Sequence, residues 1–173
     1  MKALVTGHGG FVGRHMWRAL RDRGYELVGV DIAPPGRDSR FSDDLRSLRP
    51  QDARNFFRED NNHYDLVVHC AAIVGGRVTI DGAPLKIAVD LAIDAEMFQW
   101  AFRTLPGRIV YYSSSAAYPI DLQAKATRRY KPHSLAEQEI DLDRVRNPDM
   151  TYGWAKLTGE TLARFAESEG LPL

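Results

Sequence analysis

A single cysteine, Cys70, stands in this chain of 173 residues. That excludes an internal disulfide and fits a reducing compartment. Cys70 falls in an apolar run, where a thiol is more often core packing than a nucleophile. An excess of charge is also missing, since 23 Lys and Arg balance 23 Asp and Glu. Proteins that bind nucleic acid neutralise phosphates with a basic excess, so nucleic acid is not expected as a partner. No apolar run approaches membrane-spanning length, and the N-terminus opens on a strand-like run without a signal-peptide layout. The expectation is a cytoplasmic protein. Five histidines (His8, His15, His63, His69 and His133) show no metal-ligand spacing with Cys70 or with one another, and no metal site is read. No composition shift divides the chain. With 44% hydrophobic and 27% charged residues, one globular domain is expected over residues 1–173.

What is present starts with Lys2-Ala3-Leu4-Val5-Thr6-Gly7-His8-Gly9-Gly10-Phe11-Val12-Gly13. An apolar strand-type run breaks at Gly7, and a helical pattern opens near Gly13. Glycines at 7, 10 and 13 suit three tasks: a tight turn, backbone approach to a diphosphate, and close packing of helix on strand. The helix N-terminus offers unpaired N–H groups and a positive dipole end to phosphates. An ordinary strand-to-helix turn is the other reading. The next strand-like run, Glu26–Val30, ends at Asp31, about 20 residues beyond the turn, where an acidic side chain suits the adenosine ribose hydroxyls. The two segments together point to a dinucleotide.

Further along, residues 14–23 carry Met16, Trp17, Ala19 and Leu20 at helical spacing and stop at Gly24. Residues 33–43 are a polar, Pro/Gly-rich loop with a short strand expected near Arg40–Ser42, and a helix is expected at Pro50–Arg58. Asp65–Ala72 reads as a buried parallel strand, ended by Gly75-Gly76. Residues 84–104 read as one long helix with Ile87, Leu91, Ala95, Phe98 and Phe102 on its apolar stripe, widened by Met97 and Trp100. Arg108–Tyr112 is the next strand, running into Ser113-Ser114-Ser115. Residues 119–149 read as irregular, and Tyr152–Glu169 as a helix stopped by Gly170. Strands alternating with helices make an α/β fold with a doubly wound parallel sheet, and every candidate site residue falls at the carboxyl ends of strands.

Tyr152-Gly153-Trp154-Ala155-Lys156 sets a phenol and an ammonium four residues apart on one helix face. A surface pair with no task is the other reading. A free tyrosine ionises near pH ~10, and bringing it to ~7 takes roughly 4 kcal/mol of differential stabilisation. A lysine cation and a positive nicotinamide ring nearby would supply it. Such a phenol is a general acid/base for an alcohol proton, with Ser114 holding the same substrate oxygen.

Taken together, Thr6–Gly13, Asp31, Asp44-Leu45, His69-Cys70-Ala71-Ala72, Ser113-Ser114-Ser115-Ala116-Ala117-Tyr118-Pro119 and Tyr152–Lys156 resemble the extended short-chain dehydrogenase/reductase family of nucleotide-sugar epimerases, dehydratases and reductases. The resemblance implies a Rossmann fold, NAD as cofactor and a nucleotide-diphosphate sugar as substrate. It makes Ser114, Tyr152 and Lys156 the catalytic residues, with Lys156 also holding the nicotinamide ribose. The implied cofactor contacts are Gly7, Gly9, Gly10, Phe11, Val12, Gly13, Asp31, Asp44, Leu45, Ala71, Ala72, Tyr152 and Lys156. Those to substrate are Gly75, Arg77, Ser114 and Ser115. It also implies a homodimer built on the helices at 84–104 and 152–169.

Departures from the family pattern narrow the reaction. Sugar 4,6-dehydratases carry Asp-Glu where Ser115-Ala116 stand here, which argues against water elimination. Ala116 also occupies the position of the proton-transfer cysteine of 3,5-epimerases. Ala72–Arg77 and Tyr118-Pro119 resemble the GDP-fucose synthase branch, whose members use NADPH, whereas Asp31 would repel a 2′-phosphate. Arg37 and Arg40 in the following loop would soften that repulsion. Asp90 stands where many relatives have Asn. The resulting expectation is a 4-epimerase working through a 4-keto sugar, with a 4-ketoreductase or a non-catalytic NAD-binding module as alternatives. Relatives continue into a C-terminal substrate lobe beyond the position of Leu173, so the chain is expected to be an incomplete Rossmann domain that alone binds cofactor weakly.

Overall fold

The computed structural model describes residues 1–32, 48–74, 77–126 and 134–173. These fall into two compact units. The first is Met1–Ala72, Ile93–Tyr112 and Phe165–Leu173; the second is Ile73–Ala92 and Ser113–Arg164.

The first unit is built on β1 (Lys2–Thr6), which pairs in parallel on both sides. On one side β2 (Glu26–Asp31) sets Ala3 opposite Leu27 and Thr6 opposite Val30. On the other, β4 (Leu66–His69) sets Ala3 opposite Leu66 and Thr6 opposite His69. With β3 (Leu48–Pro50) and β5 (Ile109–Tyr111) the parallel sheet runs β3-β2-β1-β4-β5. The order reverses between β1 and β4, which is where ligands bind in open sheets of this type. A strand covered on both faces must be apolar throughout, and Ala3, Leu4 and Val5 are fully buried. Helix α1 (Phe11–Arg21) lays Trp17 and Leu20 against Ala3, Val5, Leu27 and Val68. Arg18 and Arg21 lie in its last turn, where the dipole favours cations.

Two expectations shift here. Pro50 does not open a helix but ends β3, an edge strand that can accept a residue without an N–H. Helix α2 (Ala53–Glu59) begins after Asp52, whose carboxylate accepts from the Arg54 N–H at 2.9 Å, and this cap sets the boundary. The strand expected at Arg40–Ser42 lies outside the described residues.

In the second unit, α3 (Arg77–Gly82) precedes α4 (Pro84–Ile87), and α5 (Val89–Thr104) begins there and continues in the first unit. The expected single helix at 84–104 is therefore interrupted at Ala88. There the i+4 ladder tightens, with the Leu91 N–H donating to the Ala88 carbonyl at 3.2 Å. Its apolar stripe is partly different. Ile87, Met97, Phe98 and Trp100 are buried as expected, but Leu91 and Phe102 are exposed, and Asp90 and Asp94 are buried. Two carboxylates occupy the inward face because each has a hydrogen-bond donor waiting there, so the helix has no clean apolar side for periodicity to find. A short 3₁₀ turn (Ser115–Ala117), α6 (Ile120–Ala126), a second 3₁₀ turn (Glu137–Glu139) and α7 (Met150–Ser168) follow, α7 ending in the first unit. Helix α6 replaces part of the irregular stretch expected over 119–149. No helix among the described residues is long and apolar enough to cross a membrane.

Trp100 anchors the first unit. It is fully buried, its ring centroid lies 5.3 Å from that of Phe57, and its indole N–H donates to Asp60 at 3.3 Å. Trp100→Ala is expected to lower unfolding free energy by about 3–5 kcal/mol, read from the urea midpoint.

Candidate active site

The Gly-rich turn follows from what its backbone touches. Gly7 takes φ +65°, a left-handed conformation, and a Cβ there would sit 2.7 Å from the Cys70 carbonyl oxygen at the end of β4. A Cβ on Gly13 would lie 2.1 Å from the Gly7 carbonyl, so only glycine lets α1 start this close to the strand. Gly10 caps α1 with no side-chain hydrogen bond, and the first turn carries no acidic residue. That leaves the helix N-terminus open to an anion. Gly9 and Gly10 are exposed beside it, as are Phe11 and Val12. Asp31, at the end of β2, accepts from the Gly9 N–H at 3.0 Å, which ties its carboxylate to the turn. Across β1, the Ala71 N–H donates to the buried Thr6 Oγ1 at 3.1 Å, and Ala71 and Ala72 follow β4 half-buried. The turn, Asp31 and the Ala71-Ala72 pair thus share the carboxyl end of the first unit's sheet. Asp44, Leu45 and Gly75 lie outside the described residues. The backbone of Arg77 opens α3, with its side chain outside the described atoms.

His8 belongs to this turn and was given no role from sequence. Its ring is buried against Trp17 with centroids 5.6 Å apart, and neither ring nitrogen reaches a partner in hydrogen-bonding geometry. Burial lowers its pKa below the ordinary 6.5, only partly opposed by the Val30 carbonyl and the Asp31 carboxylate.

The second unit holds Ser114, Tyr152 and Lys156. Ser114 is extended and half-buried, and its hydroxyl oxygen accepts from the Ala116 N–H at 3.2 Å, capping the 3₁₀ turn. Ser115 is exposed on that turn. Helix α7 meets the turn backbone to backbone. The Ala116 carbonyl accepts from the Asp149 N–H at 2.9 Å, and a Cβ on Gly153 would come within 2.3 Å of the same oxygen. Gly153 is therefore what lets the helix carrying Tyr152 and Lys156 lie against the turn carrying Ser114. Met150, at the start of α7, takes φ +52°, a strained conformation for a side chain of its size. Tyr152 is half-buried and Lys156 is buried at 4% exposure, one helical turn apart on one face. The Ser113 hydroxyl bonds Glu160, a further turn along that face.

Neighbouring tyrosines are held as phenols. Burial, followed by Glu137, Glu160 and Glu139, raises Tyr118 above its ordinary pKa of 10, and burial followed by Cys70 does the same to Tyr112. Both shifts oppose ionisation, so neither suits the task of a base near neutral pH. Gly153, Glu160 and Asp90 were not singled out for these contacts from sequence. Asp90 accepts from the Ile73 N–H at 2.6 Å, so the position uses a hydrogen-bond acceptor. A charged residue inside a mostly apolar helix was the available signal.

Residues 3–173 match the model of the NAD dependent epimerase/dehydratase family. The chain belongs to that family. It is 30% identical over 183 residues to a Streptomyces dTDP-4-dehydro-6-deoxy-D-allose reductase, covering 93% of this chain and 49% of the relative. It is 24% identical over 151 residues to a probable UDP-glucuronate 4-epimerase of Rhizobium meliloti, covering 78% of this chain and 44% of that one. Among solved structures it resembles a Thermus thermophilus UDP-glucose 4-epimerase in complex with NAD, with TM-score 0.75 and 23% identity, over 99% of this chain and 52% of the other. The chain spans about half the length of these relatives. For this epimerase/dehydratase-family chain the fold likeness agrees with the parallel sheet described above.

Two outcomes follow for members of the family built this way. In Gly153→Ala the new methyl must displace the Ala116 carbonyl, which is expected to cost about 1–3 kcal/mol in thermal unfolding. For His8, the unfolded chain takes up the proton first as pH falls below 6.5, so folding stability is lost with acidification. His8→Leu is expected to flatten that part of the slope, measured by urea midpoints at about pH 7 and about pH 5.5.

Proposed function

We propose that this chain carries the cofactor-binding and proton-handling part of a nucleotide-sugar 4-epimerase. The observation that supports it most is the junction at Ala116. Ser114 and the Tyr152–Lys156 pair sit on two elements held together by the Asp149 hydrogen bond and by the absence of a side chain at Gly153. A structural helix has no need of that arrangement around a buried lysine.

The donor set fits a dinucleotide. Gly7, Gly9, Gly10, Phe11, Val12 and Gly13 would hold the diphosphate at the uncapped start of α1, and Asp31 would hold the adenosine ribose. Ala71 and Ala72 would line the same cofactor, with Asp44 and Leu45 on its adenosine half. When bound, NAD supplies a hydride acceptor and donor. Tyr152 takes the proton of the sugar 4-hydroxyl and returns it at the end of the cycle. Lys156 holds the nicotinamide ribose, and its positive charge favours the phenolate form of Tyr152. Ser114 donates a hydrogen bond to the sugar oxygen as it becomes a carbonyl, and Ser115, Gly75 and Arg77 complete the sugar contacts. With hydride taken from and returned to opposite faces of carbon 4, the net change would be inversion there. Ser115-Ala116 supply no acid/base pair for eliminating water, so the cycle stops at epimerisation.

A second reading, a nucleotide-sugar 4-ketoreductase, is favoured by the 30% identical reductase relative. Such an enzyme runs one half of the cycle and exchanges its cofactor. Incubating the intact protein with UDP- and dTDP-sugars separates the two, because an epimerase interconverts C4 epimers without net NADH loss and a reductase consumes NADH or NADPH in proportion to product. Tyr152→Phe is expected to lower turnover about 10²–10⁴-fold while leaving dinucleotide binding within a few-fold of wild type. Full turnover in Tyr152→Phe would sink the acid/base assignment and return the chain to a non-catalytic binding module.

A further inference from the structure

His69 closes β4 with both ring nitrogens engaged in the core of the first unit. Nδ1 lies 2.9 Å from Thr6 Oγ1, and Nε2 lies 3.1 Å from Asp94 Oδ1 on α5. The other carboxylate oxygen of Asp94 accepts from the Tyr111 hydroxyl at 2.6 Å. Thr6, His69 and Asp94 are buried, and the His69 ring stacks on Tyr111 at 6.2 Å. Thr6 Oγ1 in turn accepts from the Ala71 N–H. Four successive polar contacts thus run from β5 through α5 and β4 to the loop beside the Gly-rich turn.

Proton inventory gives this chain a direction. A carboxylate only accepts, so Tyr111 supplies one proton to Asp94 and His69 must supply the other from Nε2. Nδ1 is then bare and accepts from the Thr6 hydroxyl, which leaves the Thr6 lone pairs for the Ala71 N–H. A ring protonated at Nδ1 alone would set a bare Nε2 against Asp94. A doubly protonated ring would leave the Thr6 hydroxyl proton without an acceptor among the described bonds. We propose that Asp94 and Tyr111 are positioning residues for the dinucleotide cradle: they fix the Nε2–H tautomer of His69, and that tautomer sets how Thr6 holds Ala71. Ala71 lies beside the turn with no room for a side chain between them, since a Cβ on Gly7 would fall 2.8 Å from the Ala71 nitrogen. The functional part of this rests on Gly7–Gly13 and Ala71 being cofactor contacts.

The test combines ¹⁵N imidazole NMR on the intact protein with titration of NAD. Wild type is expected to show His69 protonated at Nε2 and bare at Nδ1. Asp94→Leu deletes the acceptor and is expected to give mixed tautomers and about tenfold weaker NAD binding. Asp94→Asn keeps an oxygen for Nε2–H and turns its amide to the Tyr111 hydroxyl, which can accept as well as donate. It is expected to restore the tautomer and hold affinity within about threefold. Tyr111→Phe should weaken NAD about threefold with the tautomer retained. An Nδ1–H tautomer in wild type, or wild-type affinity in folded Asp94→Leu, overturns the proposal. If Asp94→Leu does not fold, unchanged affinity in Tyr111→Phe overturns it instead. A wild-type protein with Nε2–H at His69 and no affinity for NAD overturns the cofactor reading and the role given to Asp94 with it, whereas the wrong tautomer with NAD bound overturns the positioning role alone.

Discussion

Backbone touching backbone with no side chain between is the constraint on which both candidate sites depend. At the carboxyl end of β1, Gly7 lies against the Cys70 carbonyl and Gly13 against the Gly7 carbonyl, and the start of α1 is fixed by those two contacts. In the second unit, Gly153 lies against the Ala116 carbonyl, which fixes α7 on the Ser114 turn. Spaces this tight hold no methyl group, because a Cβ at any of the three glycines would fall inside van der Waals distance of the facing backbone, where repulsion rises steeply. The polar groups that matter are carried by these backbones. Their placement is therefore a property of sterics first and of hydrogen bonding second.

The parallel strands and the Gly-rich turn were legible because their physics is local. Ala3-Leu4-Val5 and Leu66-Val67-Val68 are continuous apolar runs, which is what burial on two faces demands, and Gly7 is the residue a left-handed turn asks for. Tyr152 and Lys156 were legible by spacing, and the structure puts them on the helix that spacing implied. What was not legible depended on distant partners. The buried places of Asp90 and Asp94 depend on Ile73, His69 and Tyr111, which lie far off in sequence, and with them the exposure of Leu91 and Phe102 that the apolar stripe did not foresee. The start of α2 was misplaced because Pro50 can open a helix or end an edge strand, and only pairing with Asp31 decides it. Helix α6 sits in a stretch whose sequence has no sustained period, and its order comes from contacts such as Ile120 N–H on the Asn147 carbonyl at 2.9 Å.

Electrostatics sorts the tyrosines that sequence treats alike. Tyr118 lies in the Ser-rich segment and Tyr112 directly precedes it, and burial raises the pKa of both, with Glu137, Glu160 and Glu139 adding to the rise at Tyr118. Tyr152 differs from them in its company, since a buried lysine stands one turn away on its own helix. The same principle applied to His8 gives a ring whose burial lowers its pKa, packed on Trp17 as an apolar group would be.

The distribution of these groups between the two compact units carries an evolutionary consequence. Thr6, the Gly-rich turn, Asp31 and Ala71 belong to the first unit, while Ser114, Gly153, Tyr152 and Lys156 belong to the second. Each set is held by packing inside its own unit: Gly7 and Gly13 against the backbone of Cys70 and Gly7, Gly153 against that of Ala116. Under the proposed roles, a few substitutions around Ala116 would remove the proton chemistry without changing any residue of the Gly-rich turn. On that reading the way from catalyst to sensor is a short walk in sequence space, and the way back, which must restore the one residue without a Cβ at position 153, is a long one.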